Sequence, residues 1–356
     1  MTTEPGRWAL KTGRMQDIIS EMPKFSNFII YLLLPASLLS ACAPALDDKP
    51  PELYWPFPPQ KPRVKFVDYI IGSHDVLPPR TTLSRIRRFL FGEEAEVVFQ
   101  KPIFVTVRDD VLYVTDINAI HVYDFKKKKF RLVGLGVLSN ATGIAVAKGG
   151  KIFVGDSGLK KVFVFDPEKK TVSVLGGPGA FERPAGIALD EAGRRLVVVD
   201  AKRHNVTVWN LDGELLFTIG KPGKKDGEFN FPFGAAVDAQ GRIYVADAGN
   251  FRVQAFDGDG KFLGAFGGVG AVAGTFARPK GIALDSEGHI YVVDASFGNF
   301  QIFAPNGLVL LAVGSNGSEP GKFLLPAGIF IDENDKIYVV DQINRRVQIF
   351  QYLKEL

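Results

Sequence analysis

The chain has 356 residues, 46% of them hydrophobic and 23% charged, with 38 glycines and 29 phenylalanines, which suits a globular protein of many turns and packed strands. Its net charge of +4 falls to +3 once residues 1–41, with four basic and three acidic side chains, are set aside; that balance argues for neither nucleic acid nor an anionic surface as partner. The one cysteine, Cys42, excludes an intramolecular disulfide and thiolate metal sites, so the core alone must hold the fold.

Residues 1–21 show no periodicity, and a start at Met22 would give an export signal of ordinary length. After Lys24 an apolar run from Phe28 to Ala41 covers 14 residues, short for a bilayer span but right for the hydrophobic region of a signal peptide. It ends on Leu39-Ser40-Ala41-Cys42, which resembles the lipobox of bacterial lipoproteins. That resemblance implies export, lipidation of Cys42 and, with the non-acidic Ala43 behind it, retention at the outer membrane facing the periplasm. Residues 42–62 follow as a proline-rich tether, with Pro50-Pro51 and Pro58-Pro59 stiffening it. Its aromatic knot Tyr54-Trp55-Pro56-Phe57 is read as packing back on the domain behind it rather than docking on a partner.

Next comes Arg63–Gly72, a strand pattern, and then an insertion over residues 73–100. Within it Thr82–Gly92 predicts a short helix, with Leu83, Ile86 and Leu90 on one face and Arg85, Arg87 and Arg88 away from it. A lid, a membrane-surface helix and plain packing all fit that pattern.

From there the chain repeats. Aspartates end the second strand of each unit at Asp116, Asp156, Asp200, Asp247, Asp294 and Asp341, spaced by 40, 44, 47, 47 and 47 residues. Each unit holds four short strands, A to D, which is a propeller blade rather than a solenoid coil. Strand A carries glycine at Gly143, Gly186, Gly234, Gly281 and Gly328, as expected where backbones crowd around an axis, while the first copy has Phe104 there. The sixth copy stops after strand C, and Arg63–Gly72 matches the missing strand D. The predicted fold is therefore an all-β, six-bladed propeller over residues 63–351, closed by its N-terminal strand, with a tail at 352–356.

The pattern Phe-x-x-Pro-x-Gly-Ile-Ala-x-Asp-x-x-Gly-x-Ile-Tyr-Val-x-Asp-x-x-Asn-x-Arg-Val-Gln-x-Phe, clearest in residues 229–256 and 323–350, resembles the NHL repeat. The resemblance covers residues 63–351 and, with Cys42, is similar to bacterial six-bladed NHL-repeat lipoproteins. It implies a platform of the kind that binds proteins, RNA or small ligands; a protein, peptide or small anionic ligand is expected for this chain, and a monomer. One branch of similar fold contains peptidyl-hydroxyglycine amidating lyases. Fold does not choose between them.

Loops B–C and D–A gather at one end of every blade, so their residues form rings around one mouth of the channel. Five residues after each aspartate stand His121, Lys161, Asn205, Arg252, Asn299 and Arg346, all polar. With Lys101, Arg183, Arg203 and Arg278 they suggest a basic rim for an anionic or peptide ligand. The alternative is structural: Arg252 and Arg346 pair with the aspartates, and the aspartates cap turns. An enzyme reading finds no constellation: His74, His121, His204 and His289 do not converge, and no Gly-x-Ser-x-Gly or phosphate loop occurs. The expectation is a binding module without a cofactor. Its competitor is a metal-dependent lyase or lactone hydrolase, with zinc or calcium in the channel.

Overall fold

The computed structural model describes residues 50–57, 59–77 and 96–354. Cys42, the signal segment and the 82–92 helix lie outside the described residues.

Blade 1 is β3 (Pro102–Arg108), β4 (Val111–Asp116), β5 (Ala119–Asp124) and β6 (Lys129–Val133); before it come β1 (Tyr54–Trp55) and β2 (Val64–Ile70). Blade 2 is β7 (Ala141–Val146), β8 (Ile152–Asp156), β9 (Lys161–Asp166) and β10 (Thr171–Val174), and blade 3 is β11 (Pro184–Asp190), β12 (Arg195–Asp200), β13 (Asn205–Asn210) and β14 (Leu215–Ile219). Blade 4 is β15 (Ala235–Val237), β16 (Ile243–Asp247), β17 (Arg252–Phe256) and β18 (Phe262–Gly267), and blade 5 is β19 (Pro279–Leu284), β20 (Ile290–Asp294), β21 (Asn299–Phe303) and β22 (Val309–Val313). Blade 6 is β23 (Pro326–Ile331), β24 (Lys336–Asp341) and β25 (Arg346–Tyr352), with β2 and then β1 added beyond β25. The protein is a six-bladed propeller of antiparallel four-stranded sheets, the sixth extended by the two residues of β1.

Strand β2 lies antiparallel to β25, with Val64 opposite Tyr352, Phe66 opposite Phe350 and Ile70 opposite Val347. The fold begins earlier than residue 63, because Tyr54 and Trp55 pair with Lys65 and Val64. Trp55 is buried and sets its edge on Phe350 at 5.7 Å. The aromatic part of the tether is thus built into the last blade.

Second strands such as β16, β20 and β24 read as unbroken apolar runs because they are sandwiched between neighbouring blades and buried on both faces. Outer strands alternate or lie exposed: β18 shows every second residue to solvent, and all of β10 is exposed. A phenylalanine just before strand A, at Phe99, Phe181, Phe229, Phe276 and Phe323, wedges between blades and is almost fully buried; blade 2 uses Leu138.

At the axis the inner strands touch through glycine. A Cβ on Gly143 would lie 2.1 Å from the Ala185 carbonyl oxygen, and one on Gly186, Gly234, Gly281 or Gly328 would lie 2.5–2.7 Å from a backbone oxygen of the next blade. Gly328 meets Ile103 of blade 1, so the contact closes the circle. Between Gly186 and Phe233 it becomes a hydrogen bond, the glycine N–H donating at 2.8 Å. Phe104, standing where the other blades have glycine, stacks on Phe233 of blade 4 (5.3 Å, 15°). Blades 1 and 4 are opposite one another, so the two rings plug the channel.

Replacing Gly281 by alanine would drive a methyl group into backbone that cannot rotate away, an overpacking of about 1–3 kcal/mol. Chemical denaturation of Gly281→Ala should show that loss. Gly264→Ala, where a Cβ meets nothing within 4 Å, should stay within about 0.5 kcal/mol of wild type.

Candidate functional site

The mouth is organised by the six ring aspartates, all buried. Each ends a second strand, where its carboxylate accepts hydrogen bonds from backbone N–H groups of the preceding D–A loop. Asp200 takes those of Glu182 and Arg183, Asp116 those of Gln100 and Lys101, and Asp294 those of Ala277 and Arg278. Several also hold their own B–C loop: Asp156 accepts from Gly158 and Leu159, and Asp294 from Ser296 and Phe297. One acidic side chain thereby pins both loops of a blade, the turn-capping use to which carboxylates are suited.

The six positions five residues further on are not one rim. Arg252 donates to Asp247 at 2.9 Å and to the Lys225 and Glu228 carbonyls, and Arg346 to Asp341 at 2.8 Å and to the Glu319 and Lys322 carbonyls. Both arginines are engaged inside the protein. His121 is buried among Phe99, Tyr123 and Phe130, with Nε2 3.6 Å from Asp116, and burial holds its pKa below the usual histidine value. Asn205 and Asn299 turn inward, each with a buried side-chain oxygen that has no hydrogen-bond partner among the described residues. Lys161 is exposed, its ammonium 6.0 Å from the Phe163 ring. Arg203 donates to the carbonyls of Ala180 and Gly179.

Lys101, Arg183 and Arg278 differ from these. Each directly precedes the proline that opens strand A, each is exposed, and none has a side-chain hydrogen bond or ion pair among the described residues. They stand on three blades around the axis.

Sequence reading passed over the residue next to them. Five inner strands leave the ladder for two residues after their first pair; in blade 5 the break falls between Pro279 and Ile282 and re-aims Lys280. The same place holds Ile103, Thr142, Ala185, Phe233 and Ala327 in the other blades, so one lysine interrupts a column of apolar and small side chains. Lys280 is only 7% exposed and lacks an acidic partner among the described residues; its ammonium lies over the Phe233 ring, 5.5 Å from the centroid. Desolvation first, then repulsion from Arg278 and Lys101, lower its pKa from 10.5 to about 8. Lys101 of blade 1 and Arg278 of blade 5 are thus the charges that act on Lys280, whose ammonium lies over Phe233 of the Phe104–Phe233 stack.

The missed glutamines do structural work. Gln254 and Gln348 each accept from a D–A loop glycine N–H and donate both to a loop carbonyl and to the ring aspartate. The Arg-Val-Gln of the repeat is thus a bracket around the aspartate. The four histidines lie apart: His74 beside Glu96, His121 in blade 1, His204 against Phe231, and His289 on Asp285 at the opposite end. Among the described residues no group of three or more His, Cys, Asp or Glu is placed to hold a metal ion.

Opposite effects on stability should separate the two kinds of cation. At Asp341 burial outweighs the bonds from Asn344, Leu324 and Arg346 and keeps the carboxyl above its usual range, so Arg346→Met, which strands that group, should destabilise by about 3 kcal/mol. Lys280→Met should instead stabilise at pH 7, by roughly 1–3 kcal/mol. The folded pKa of about 8 lies below the unfolded 10.5, so the unfolded chain binds more protons between them; the penalty is full below about pH 8 and disappears as pH rises through that window. Thermal melts at pH 7 and pH 10 check both signs.

Comparison with known proteins agrees with this architecture. A family model described as NHL repeat matches residues 229–256, and one described as 6-bladed beta-propeller matches residues 286–353. NHL repeat-containing protein 2 of Gallus gallus is 39% identical over 15% of this chain, a match that spans 8% of that protein. Among solved structures, an auxiliary nutrient binding protein from Bacteroides thetaiotaomicron superposes with a TM-score of 0.58 at 16% identity, covering 72% of this chain and 70% of its own. Virginiamycin B lyase from Staphylococcus aureus gives 0.54 at 14% identity, covering 74% and 86%. At these identities the likeness is one of fold.

Proposed function

We propose that this NHL-repeat, six-bladed β-propeller is a binding module that presents the ring-aspartate mouth to an anionic ligand or to an acidic segment of a protein or peptide. The observation that carries the reading is the set of exposed cations Lys101, Arg183 and Arg278, which have no ion pair among the described residues although the mouth's buried carboxylates are close by. Those carboxylates already accept from backbone amides and, at Asp247 and Asp341, from arginine and glutamine side chains, and so leave Lys101, Arg183 and Arg278 to an outside partner. A solved propeller described as nutrient binding has the same kind of fold, which supports the reading. The sequence at Cys42 supports a second part of the proposal: the propeller is exported and held by lipid at the envelope, facing the periplasm.

The lyase alternative has its support in the virginiamycin B lyase fold and in a lysine of lowered pKa at the mouth. The separation of the four histidines weighs against a zinc site of the amidating-lyase kind.

Lys101, Arg183 and Arg278 replaced together by glutamate should abolish crosslinked capture of the partner from native envelopes while leaving the melting temperature within about 2 °C of wild type, since exposed side chains away from packing contribute little to stability. Capture at wild-type yield by the triple variant would overturn the mouth as the binding surface. Arg252 is left out of that variant because reversing it would break the Asp247 bracket.

A further inference from the structure

Resting on the reading of the mouth as a binding surface, we propose that Lys280 is the anchor of a small-ligand subsite at its floor. The ligand class is an organic monocarboxylate with an apolar body, its carboxylate held by Lys280 with Arg278 and Lys101 and its body set against Phe104 and Phe233.

Four observations carry this. Lys280 is more than nine-tenths buried and is without an acidic partner among the described residues, and an ammonium in that position is destabilising unless an anion joins it. Its amine lies over the Phe233 ring of blade 4, the neighbouring blade, and the charge of Lys101 two blades away acts on it as well. The strand bulge that places it there is a local departure from the ladder that re-aims side chains. The floor has an apolar pair in it: Phe104 and Phe233 stack, with Ile103 packed in the same cluster.

The same geometry selects carboxylate over phosphate. Phosphate sites rest on free backbone N–H groups gathered in a nest or at a helix start. Here the N–H groups at the mouth, those of Lys101, Arg183 and Arg278 among them, already donate to ring aspartates. What remains is side-chain charge, a guanidinium whose planar fork matches a carboxylate and two ammonium groups. An apolar floor disfavours a small dianion that keeps its hydration.

Isothermal titration of the purified full-length protein with benzoate, methyl benzoate and inorganic phosphate at pH 7 tests the proposal. Benzoate is expected to bind, and the neutral ester and phosphate to bind at least tenfold more weakly. Lys280→Met should weaken benzoate at least tenfold with its circular dichroism unchanged, and Lys280→Arg should restore part of the affinity. Benzoate binding unaltered in Lys280→Met would overturn the assignment of the anchor. Phosphate binding as tight as benzoate would overturn the carboxylate class. No binding of benzoate would overturn the subsite, and if the Lys101, Arg183 and Arg278 variant still fails to capture its partner, the mouth survives as a macromolecular surface without this floor.

Discussion

Everything in this molecule follows from how closely six backbones approach one axis. At Gly143, Gly186, Gly234, Gly281 and Gly328 the next inner strand lies where a Cβ would have to be, so blades can meet only if the side chain is absent. That contact is short-range and steric, and further out the buried phenylalanines before strand A fill the space between blades. Gly328 against Ile103 joins last blade to first, while β2 on β25 supplies the outer strand that the sixth repeat lacks. A closed array leaves no unpaired seam between blades.

The mouth is a consequence of that packing. Loops converging at one end bring many backbone N–H groups together, and these need acceptors. The ring aspartates provide them, and in blades 4 and 6 an arginine and a glutamine complete the bracket. The ring aspartates at this end are thereby buried and hydrogen-bonded, whereas Lys101, Arg183 and Arg278 are left facing out. Lys280 goes further, since its burial opposes stability and no bracket uses it. Residues that break a local rule without a structural return are where function is to be sought.

How much could be read in advance depends on whether a signal is periodic. The aspartates, the glycines and the paired apolar runs recur at a near-constant spacing, so blade count and strand order were legible, as was Phe104 as a departure from the glycine column. Arg252 and Arg346 could be seen as candidates for pairing with the aspartates, and they do pair. The position five residues after the aspartate was less legible as a rim because its residues differ in direction: His121 is packed between rings, whereas Lys161 is exposed. Spacing along a chain does not encode that difference. Lys280 is not legible from recurring polar positions, because its signal is the reverse, one charge in a column of small and apolar side chains.

The mouth holds cationic charge that has no ion pair among the described residues, with Lys280 at its most buried point. The direct measurement is an NMR titration of the lysine side chains in unliganded protein, with Lys280 assigned by its absence in Lys280→Met. The midpoint expected for Lys280 is near pH 8, well below the 10.5 of an ordinary lysine. A midpoint at or above 10.5 would mean that the amine is solvated or paired, and would contradict it.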